Sequence, residues 1–501
     1  MITIVYSTHK DESYNYRFKN HLTATVGLPD VQILQYVNKN EFSLSQVYNK
    51  GISESLYDIV VCVHNDIKLE KGWGKKILED FHKNPDYAII GKAGSSYMPE
   101  TGVYWEKMNQ TMVGQVYHEP EGQKKWLSKY SPNFPFLIPV VTIDGLFISF
   151  NKTKIKYKFD EDLSGFHFYD HGFCIPNFLD GVKIGVTSSF EITHKSVGRP
   201  NDEFYLTKAK FIEKYKTNLP IDLKPSSPYV EKITEKPIKN IGKVAVIIPN
   251  KSNNSLLFDC ISSFYEHCNK NLFHIFIADT GSDSTEIDAI KTFISDYDNI
   301  SLIEYDYYNF AKINNDVVKN YVNNDFEFLL FCNNDIKLLN NVIYGMLKTF
   351  KSNPKIGTVG ARLHFGDGTI QHDGIILLYK QNRGFDVTHK SLRSYYNYLT
   401  NSNFVIGSTA ALLMIRKKVF ESCGYFNESY QSCFEDVELN LKCIIKGYNN
   451  ICDSQLVAYH YESQTRNLDE NKMNKVIEDS RLLMPFIGEN VLKFKKYIKE
   501  I

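Results

Sequence analysis

Three polar residues occur twice in this sequence, in the same order and at nearly constant spacing. The pairs are Asp66 and Asp335, Asp170 and Asp436, and His194 and His460, with offsets of 269, 266 and 266 residues. In both copies the second aspartate precedes the histidine by 24 residues. Carboxylates and histidines bind divalent cations, and a carboxylate can accept the proton of a hydroxyl group. A repeated scaffold needs only its apolar pattern, so the repeated polar residues predict a repeated site.

The first aspartate of each copy ends a short polar motif, HND at 64–66 and NND at 333–335. Each motif follows a buried strand and precedes a helix-forming segment. Ligands of open α/β sheets bind beyond the carboxyl ends of the strands, where a carboxylate can hold Mg²⁺ or Mn²⁺ and through it a diphosphate. Alternatively, each motif is only a polar turn at a strand end. Because the motif occurs in two copies in register, this alternative is less favoured than a metal site.

The second aspartate lies in FYDHGF (168–173) and in FEDVEL (434–439). Apolar residues at helical spacing after Asp436 place it in the first turn of a helix. There it could serve only the helix dipole, or it could act as a general base. The histidines follow strands, and the shared interval favours a metal or phosphate contact over a structural role. Arg199 and Arg466 follow the histidines and could pair with phosphate.

Short apolar runs alternate with helical patterns in both halves, which predicts an α/β fold with an open, doubly wound, mostly parallel sheet in each half. The predicted strands are Ile2–Tyr6, Val31–Val37, Ile59–Val63, Val244–Ile248, Phe273–Ala278 and Phe328–Cys332, and the clearest helices are Leu256–Cys268 and Ile287–Tyr297. A proline-rich stretch of low periodicity separates the halves. We therefore predict a first domain at 1–218, a linker at 219–242, a second domain at 243–480 and a helical tail at 481–501.

Composition narrows the function classes. Lys+Arg and Asp+Glu both number 58, so the zero net charge gives no support for a nucleic-acid partner. No apolar stretch reaches the roughly 20 residues of a membrane span, and no signal peptide is evident. The nine cysteines form no CxxC pair and are expected to be reduced, which predicts a cytoplasmic protein. The basic run Lys493–Lys499 leaves contact with an anionic membrane surface open, although a polar helix end explains it better.

The sequence resembles family 2 glycosyltransferases with the GT-A fold, so two tandem GT-A domains are expected. In the second half VAVIIPN (244–250), IADTGSD (277–283), FAKINND (310–316), LLFCNND (329–335), GARLHFGDGTIQHDG (360–374) and FEDVEL carry the resemblance, in the order typical of the rhamnosyltransferase-like and galactofuranosyltransferase-like branch. QVYNKGISESLYDIVVCVHNDI (46–67), TIDGLFISF (142–150), FHFYDHGF and ITHKSVGR resemble a shorter branch of the same family.

The resemblance implies a role for each matching residue. The implied metal ligands are Asp335, His460, Asp66 and His194, and the implied general bases are Asp436 and Asp170. The implied donor contacts are Pro249, Asp279, Asn315, Asn334, Asp335, Arg466, Asn49, Asn65 and Arg199, and the implied acceptor-side residues are His372, Gly407, Glu435, Asp144 and Gly145. In the first half the aspartate that contacts the nucleotide base has no clear counterpart, since Val37 or Asn38 stands there, and Tyr169 replaces the usual glutamate. His64 and Asn333 replace the first carboxylate of the metal motif.

The resemblance further implies an inverting glycosyl transfer with Mn²⁺ or Mg²⁺, from a UDP- or dTDP-sugar to a glycan, glycolipid or glycoprotein acceptor. Two sites predict a bifunctional enzyme that builds a surface polysaccharide, a lipopolysaccharide or a glycoprotein glycan. In one alternative the first domain only binds acceptor. In another the whole protein is a carbohydrate-binding or scaffold protein. A nucleotidyltransferase or dehydrogenase is disfavoured, because no GxGxxG follows the first strand and no Walker A loop is present.

Overall fold

The structure is a computed structural model of the 501-residue chain. It describes residues 1–107, 111–131, 133–134, 136–163, 165–198, 200–224, 228–236, 242–381, 384–394, 405–461 and 472–500. Contacts between Cα atoms divide the chain into two compact units. We call Met1–Lys224 the first unit and Pro225–Ile501 the second unit. The division falls inside the segment that the sequence predicts as a linker, and the predicted domain limits remain a prediction.

The first unit alternates strands and helices along the chain. Its strands are β1 Ile2–Thr8, β2 Val31–Val37, β3 Ile59–Val63, β4 Ile67–Leu69, β5 Tyr87–Gly91, β6 Ala93–Ser95, β7 Tyr97–Met98, β8 Met112–His118, β9 Trp126–Lys129, β10 Ile138–Val140, β11 Thr142–Ile143, β12 Phe147–Asn151, β13 Lys183–Val186, β14 Ile192–His194 and β15 Ile221–Asp222. Its helices are α1 Glu12–Val26, α2 Leu44–Glu54, α3 Trp73–Lys83, α4 Tyr169–Leu179 and α5 Asp202–Tyr215, with a 3₁₀ turn at Tyr104–Lys107.

The main sheet of the first unit has the strand order β10-β13-β5-β12-β3-β1-β2. Strand β1 pairs in parallel with β2 and β3, whereas β12 runs antiparallel between β3 and β5. A second sheet, β11-β6-β8-β14-β4, carries the short strand β4 at its edge. Strand β3 is buried on both faces, as its continuous β-branched sequence predicts.

The second unit repeats this alternation. Its strands are β16 Lys243–Asn250, β17 Phe273–Asp279, β18 Ile300–Glu304, β19 Phe326–Cys332, β20 Ile336–Leu338, β21 Ile356–His364, β22 Ile370–His372, β23 Ile375–Lys380, β24 Gly384–His389, β25 Leu412–Arg416, β26 Asn449–His460 and β27 Ile498–Glu500. Its helices are α6 Asn254–His267, α7 Ser284–Ile294, α8 Phe310–Asn320, α9 Val342–Ser352, α10 Lys417–Ser422, α11 Glu435–Ile445, α12 Lys472–Glu489 and α13 Val491–Phe494, with 3₁₀ turns at Lys270–Leu272 and Lys495–Tyr497.

The main sheet of the second unit has the order β18-β17-β16-β19-β25-β21-β26-β20. Six consecutive strands match the first unit in order and direction: β17-β16-β19-β25-β21-β26 corresponds to β2-β1-β3-β12-β5-β13. In both, two parallel pairs are followed by two antiparallel pairs and another parallel pair. The predicted α/β class is confirmed, and each parallel block contains the strand that leads to a repeated aspartate.

Helix α12 packs in the second unit beneath the helix that carries Asp436. Leu483 and Ile487 of α12 share an apolar cluster with Val437 and Leu441 of α11. This packing fixes one face of α11 and leaves its amino-terminal end for polar contacts. The predicted boundary at residue 480 falls within α12. Among the described residues, no helix combines the length and apolarity that crossing a bilayer requires.

Candidate active sites in the two units

Strand pairing in the first unit brings Asp66 and His194 together. Strand β4 runs antiparallel to β14, with Ile67 opposite His194. The backbone carbonyl of Asp66 accepts a hydrogen bond of 2.9 Å from the N–H of Lys195. Asp66 Oδ1 consequently lies 3.3 Å from His194 Nε2. The two residues, 128 positions apart in the chain, meet because one register is enforced by the ladder.

The second unit reproduces this pairing. Strand β20 runs antiparallel to β26, with Ile336 opposite His460. The N–H of Tyr461 donates to the backbone carbonyl of Asp335 at 3.0 Å. Asp335 Oδ1 lies 3.2 Å from His460 Nε2. The repeated aspartate–histidine pair of the sequence is therefore a repeated contact in space.

The second repeated aspartate also has the same contacts in both units. Asp436 Oδ2 accepts from the N–H of Ala410 at 2.9 Å, and its Oδ1 accepts from the N–H of Val437 at 2.7 Å. Asp170 Oδ2 accepts from the N–H of Gly145 at 2.9 Å, and its Oδ1 from the following residue at 2.9 Å. Each carboxylate is held by one backbone amide of the turn that precedes a strand and by one helix amide. Its orientation is thus fixed before any ligand binds.

The backbone before each of these aspartates adopts an unusual conformation. Phe168 has φ 59° and Phe434 has φ 75°, in the left-handed region that non-glycine residues seldom occupy. Each lies immediately before the first turn of α4 or α11. Such a conformation costs on the order of 1–3 kcal/mol and persists only where the surroundings enforce it. Its duplication marks the entry to both helices as part of the site geometry.

Asp66 and His194 shift each other's pKa. Burial opposes ionisation of Asp66, but the hydrogen bond and charge of His194, together with the charge of His64, hold its pKa well below the usual range. Burial lowers the pKa of His194, but the hydrogen bond and charge of Asp66 outweigh this and raise it. The two directions agree, because each group stabilises the charged form of the other.

The donor atoms fit a divalent cation in both units. His64, Asp66 and His194 each offer one ligand atom, and these atoms lie within 4.8 Å of one another. Asp335 Oδ1 is buried and has no hydrogen-bond donor among the described residues, because its contact with His460 lacks hydrogen-bond geometry. A buried carboxylate oxygen without a donor is costly unless a cation compensates it. Asn333 Nδ2 lies 3.2 Å from His460 Nε2 at the same place.

A cavity of about 460 Å³ opens beside these residues in the second unit. Asn333, His460, Glu435 and Asp436 line it together with aromatic and small side chains. Its volume lies in the range of roughly 300–1,000 Å³ that is typical of small-molecule sites. Asn333 and His460, on the metal side, therefore face the same space as the candidate base Asp436.

The predicted nucleotide contact Asp279 ends strand β17 and is buried. Its Oδ1 accepts from the N–H groups of Gly281 and Ser282 at 3.1 and 2.9 Å. Its Oδ2 accepts from Ser282 Oγ at 2.6 Å and from Asn250 Nδ2 at 3.0 Å. Asn250 Oδ1 in turn accepts from Asn334 Nδ2 at 2.8 Å. A polar chain thus joins the predicted nucleotide residue to the strand-end motif, and Pro249 lies within β16 beside it.

The first unit has a different arrangement at this place. Val37 pairs with Thr8, as Asp279 pairs with Asn250, and is 60% exposed. The buried Asn38 accepts from the N–H groups of Glu41 and Phe42 at 3.0 and 3.2 Å. Asn38 therefore organises the loop, whereas the position facing outward is apolar.

Asn65 completes the corresponding contact in the first unit. Its Nδ2 donates to Thr8 Oγ1 at 2.9 Å, as Asn334 donates to Asn250. The polar connection from the strand-end motif to β1 is thus retained. It does not reach β2, which ends in Val37; Thr8 Oγ1 instead donates to Asn15 Oδ1 at 2.8 Å.

The predicted donor contacts Asn315 and Asn49 use their amides to brace a loop. Asn315 Nδ2 donates to the carbonyl of Phe426 and to Glu428 Oε1, both at 2.9 Å. Asn49 Nδ2 donates to the carbonyl of Phe159 at 2.9 Å and to Glu161 Oε1 at 2.7 Å. Their role as donor contacts stays a prediction.

On the predicted acceptor side, both glycines make room for a neighbour. A Cβ atom at Gly407 would lie 2.1 Å from Asn440 Cγ, and one at Gly145 would lie 2.0 Å from Tyr169 Oη. Asp144 accepts from Tyr104 Oη at 3.1 Å and from the N–H of Leu146 at 2.9 Å. These contacts place Gly145 and Asp144 beside Asp170, and Gly407 beside the helix of Asp436.

His372 is fully buried next to the cavity. Its Nε2 accepts from the N–H of Thr409 at 3.3 Å, so its proton lies on Nδ1, 2.6 Å from His389 Nδ1. Burial, followed by the nearby charges of His389 and His460, lowers the pKa of His372 well below its usual value. Arg199 and Arg466 lie outside the described residues, and their predicted phosphate contacts stay predictions.

Two further residues fix the second site, and the sequence pattern did not reveal them. Gln371 Oε1 lies 2.5 Å from His460 Nδ1 and orients that ring. Asp479 of α12 accepts from the N–H groups of Gln431, Ser432 and Cys433 at 3.0, 2.7 and 3.0 Å. It therefore holds the loop that leads to Asp436. The motif that contains Gln371 was a usable signal, whereas nothing near Asp479 distinguished it.

Comparison with known proteins supports a glycosyltransferase. Residues 3–215 match the model of a family described as Glycosyltransferase like family. The O-antigen biosynthesis protein RfbC of Myxococcus xanthus is 28% identical over 236 residues, covering 46% of this chain and 18% of that protein. The uncharacterized protein y4gI of Sinorhizobium fredii is 27% identical over 246 residues, covering 46% of this chain and 26% of that protein. The matches thus span only 18% and 26% of the length of these relatives.

Solved structures give more distant likenesses. The mannosyltransferase PcManGT from Pyrobaculum calidifontis, in complex with GDP-Man and Mn²⁺, is 14% identical, with a TM-score of 0.35 over 46% of this chain and 59% of that one. S. aureus TarS is 15% identical, with a TM-score of 0.35 over 48% of this chain and 39% of that one. At these TM-scores the likenesses carry no argument, and the fold rests on the strand order described above.

Proposed function

We propose that this chain is a bifunctional, inverting, metal-dependent glycosyltransferase, with one transfer reaction in each unit. The duplicated geometry carries the proposal: a strand-end aspartate beside a histidine, and a second aspartate whose two oxygens are held by backbone amides. The family match at residues 3–215 supports the reaction class for the first unit. The strand order shared by the two units supports extending it to the second.

In the proposed mechanism, Asp436 accepts the proton of the acceptor hydroxyl. The N–H groups of Ala410 and Val437 hold the carboxylate in one orientation, and the remaining lone pairs are free to accept a proton. Asp170 has the same part in the first unit. Such proton transfer contributes about 10²–10⁴-fold to a rate, and positioning the two sugars in one cavity contributes further.

Asp335 and His460 would hold the cation in the second unit, and Asp66 and His194 in the first. A bound Mn²⁺ or Mg²⁺ supplies positive charge against a diphosphate leaving group. The chain determines where the cation would bind. Gln371 orients His460, and the β20–β26 ladder sets the distance between His460 and Asp335.

The donor we propose is a nucleoside-diphosphate sugar, with UDP- or dTDP-sugars as the first to test. The acceptor is a glycan, a glycolipid or a glycoprotein, and the similarity to the O-antigen biosynthesis protein of Myxococcus xanthus makes a surface polysaccharide the leading case. A rhamnosyl or galactofuranosyl specificity, a cytoplasmic location and peripheral contact with a membrane belong to the same proposal.

A single-activity enzyme is the second candidate. In it the first unit binds acceptor and the second unit transfers sugar. Val37, at the place of Asp279, favours this candidate, because an exposed valine cannot accept a hydrogen bond from a nucleotide base.

The test uses the full chain with a panel of UDP-, dTDP- and GDP-sugars and separates the products by mass spectrometry. We expect Asp335→Asn to remove one transfer and Asp66→Asn to remove the other. If Asp66→Asn leaves every product unchanged, the single-activity enzyme is correct. If the unsubstituted chain consumes no donor with any metal or acceptor, a carbohydrate-binding role replaces both.

A further inference from the structure

Two positions at which the units have different residues lie in contact with each other. The first unit has His64 and Tyr169 where the second has Asn333 and Glu435. His64 Nε2 lies 2.6 Å from Tyr169 Oη, and both side chains belong to the candidate site. Tyr169 and His64 both differ from the residues at the same positions of the second unit, and their side chains contact each other. The two differences therefore belong to one local change in the site.

The hydrogen bond to Tyr169 leaves the other nitrogen of His64 facing the metal-side residues. In the tautomer with the proton on Nε2, His64 donates to Tyr169 Oη and keeps a lone pair on Nδ1. That Nδ1 lies 4.0 Å from Asp66 Oδ1, and His194 Nε2 lies 3.3 Å from the same oxygen. Two ligands at about 2.1 Å from one ion are at most about 4.2 Å apart, so both separations are compatible with shared coordination.

We propose that His64 is a third ligand in the first unit, giving a site of two histidines and one carboxylate that takes a transition-metal dication in preference to Mg²⁺. This inference rests on the metal site of the proposed function. Tyr169 is the positioning residue that fixes the ring of His64. The second unit, with Asn333 in place of His64, offers fewer nitrogen ligands and discriminates less between these ions.

The chemistry of the ligands carries the selectivity. Mg²⁺ binds oxygen ligands in near-ideal octahedral geometry and dehydrates reluctantly, whereas imidazole suits later first-row ions. Two imidazoles and one carboxylate therefore favour Co²⁺, Fe²⁺ or Zn²⁺ over Mg²⁺. The hydrogen bond of a metal-bound histidine to an outer partner typically contributes about 10–100-fold to metal affinity.

The packing around Tyr169 shows that this arrangement requires its neighbours. Tyr169 is buried against Tyr48, with ring centroids 5.8 Å apart, and its hydroxyl occupies the space beside Gly145. A side chain at Gly145 would displace the hydroxyl and with it the partner of His64. The metal-facing orientation of His64 is thus built into the fold of the first unit.

The experiment uses the full chain carrying Asp335→Asn, so that the first site is measured alone. Titration calorimetry with CoCl₂ and with MgCl₂, together with the visible spectrum of bound Co²⁺, gives affinity and coordination. We expect one Co²⁺ site that binds at least about 10-fold more tightly than Mg²⁺. His64→Asn should weaken Co²⁺ binding about 100-fold and Tyr169→Phe about 10-fold, with little change for Mg²⁺.

The reciprocal substitution is the matched control. In a chain whose first site is silenced by Asp66→Asn, Asn333→His should increase the preference for Co²⁺ over Mg²⁺. Circular dichroism and thermal melting without metal establish folding, and His64→Gln replaces His64→Asn if that variant does not fold.

Three outcomes decide the inference. Unchanged Co²⁺ affinity in His64→Asn, or equal affinities for Co²⁺ and Mg²⁺ in the parent chain, overturns it. Co²⁺ binding that depends on His64 without any sugar transfer supports it and refutes the proposed function. Sugar transfer in a chain whose Co²⁺ binding does not depend on His64 supports the proposed function and overturns the inference.

Discussion

The first and second units pair six strands in the same order, yet they differ on the two sides of the aspartate–histidine pair. On the metal side the first unit adds His64, whereas the second has Asn333. On the nucleotide side the second unit has the buried Asp279 with four hydrogen bonds, whereas the first has the exposed Val37. Between these sides, Asp170 and Asp436 keep identical backbone contacts. The aspartate–histidine pair and the second aspartate are thus common to both units. The residues on the metal side and on the nucleotide side differ between the units independently of each other.

The largest expected effect tests the shared centre. Asp436→Asn should reduce the transfer of the second unit by about 10²–10⁴-fold and leave the other unchanged, and Asp170→Asn should do the reverse. An amide cannot accept a proton, and its NH₂ group would face a backbone N–H. Turnover of each product, measured with the full chain, gives the result. Asp283→Asn, the same change at the start of a helix outside the cavity, is the control, and equal losses of both transfers would contradict separate sites.

The next effect concerns Lys92, which stands where the second unit has the buried Ala361. Lys92 Nζ donates to the carbonyls of Thr187 at 2.9 Å and of Phe190. Burial lowers the pKa of Lys92 to about 8, although Asp80 and Glu70 oppose the shift. Above this pH the folded chain releases the proton while the unfolded chain keeps it up to about pH 10.4, so stability rises with pH across that window.

We expect the first unit to gain on the order of 3 kcal/mol between pH 8 and pH 10.4, relative to the same change in Lys92→Met. Urea unfolding at a series of pH values measures this. Lys83→Met, at an exposed lysine, is the control and should follow the unsubstituted chain. Parallel pH profiles for Lys92→Met and the unsubstituted chain would show that Lys92 does not distinguish the units.

The glycines at the two sites should respond similarly in stability and differently in function. Gly407→Ala and Gly145→Ala should each destabilise their unit by about 1–3 kcal/mol through overpacking. Gly407→Ala displaces Asn440, which donates to the carbonyl of Asp436, and should slow the second transfer. Gly145→Ala displaces Tyr169 and should weaken metal binding in the first unit.

Thermal melting, metal titration and product analysis together measure these effects. Gly488→Ala, in a helix with open space around it, is the control and should be neutral or stabilising. If Gly145→Ala lowers stability without changing metal affinity, the proposed link between Gly145, Tyr169 and the metal site is wrong.

The smallest expected effect lies on the nucleotide side. Val37→Asp should change stability by less than about 0.5 kcal/mol, because the position is exposed and Asn38 already holds the loop. The first transfer should keep its KM for the donor within about twofold, measured by donor titration at fixed acceptor. A tenfold fall in KM would instead show that an acid at this strand end is all that the first unit lacks.

Much of the fold could be predicted from sequence, because strands buried on both faces have continuous apolar runs. Ile59–Val63 is such a strand and has its predicted bounds. Val31–Val37 also has its predicted bounds, although it is a half-buried edge strand, and the helix after Asp283 begins three residues earlier than predicted. The position of Asp436 in the first helical turn followed from apolar spacing. These features depend on residues close together in the chain.

The rest of the site could not be predicted, because it depends on contacts between distant segments. Tyr169 contacts His64 across 105 residues, and Asp479 holds a loop 46–48 residues away. Motif positions place Asn315 and Asn49 near a site, but they do not show where an amide points. In the structure both amides point at loops. The direction in which a side chain points, and the residue that it contacts, depend on how distant segments pack. A periodic sequence pattern does not contain this information.

The antiparallel ladders that bring Asp66 to His194 and Asp335 to His460 limit how these units can change length. Gly91 of β5 and Gly360 of β21 occupy equivalent positions, since they pair with corresponding residues of β12 and β25. From this glycine to the second aspartate the first unit has three more residues than the second. Between the second aspartate and the histidine the lengths are equal. A deletion of one residue in β14 would turn His194 to the opposite face of its strand. Insertions can therefore be accommodated before the helix that carries Asp170, but not within the β4–β14 ladder. A homologue whose interval between the second aspartate and the histidine differs from this one should therefore have lost the site.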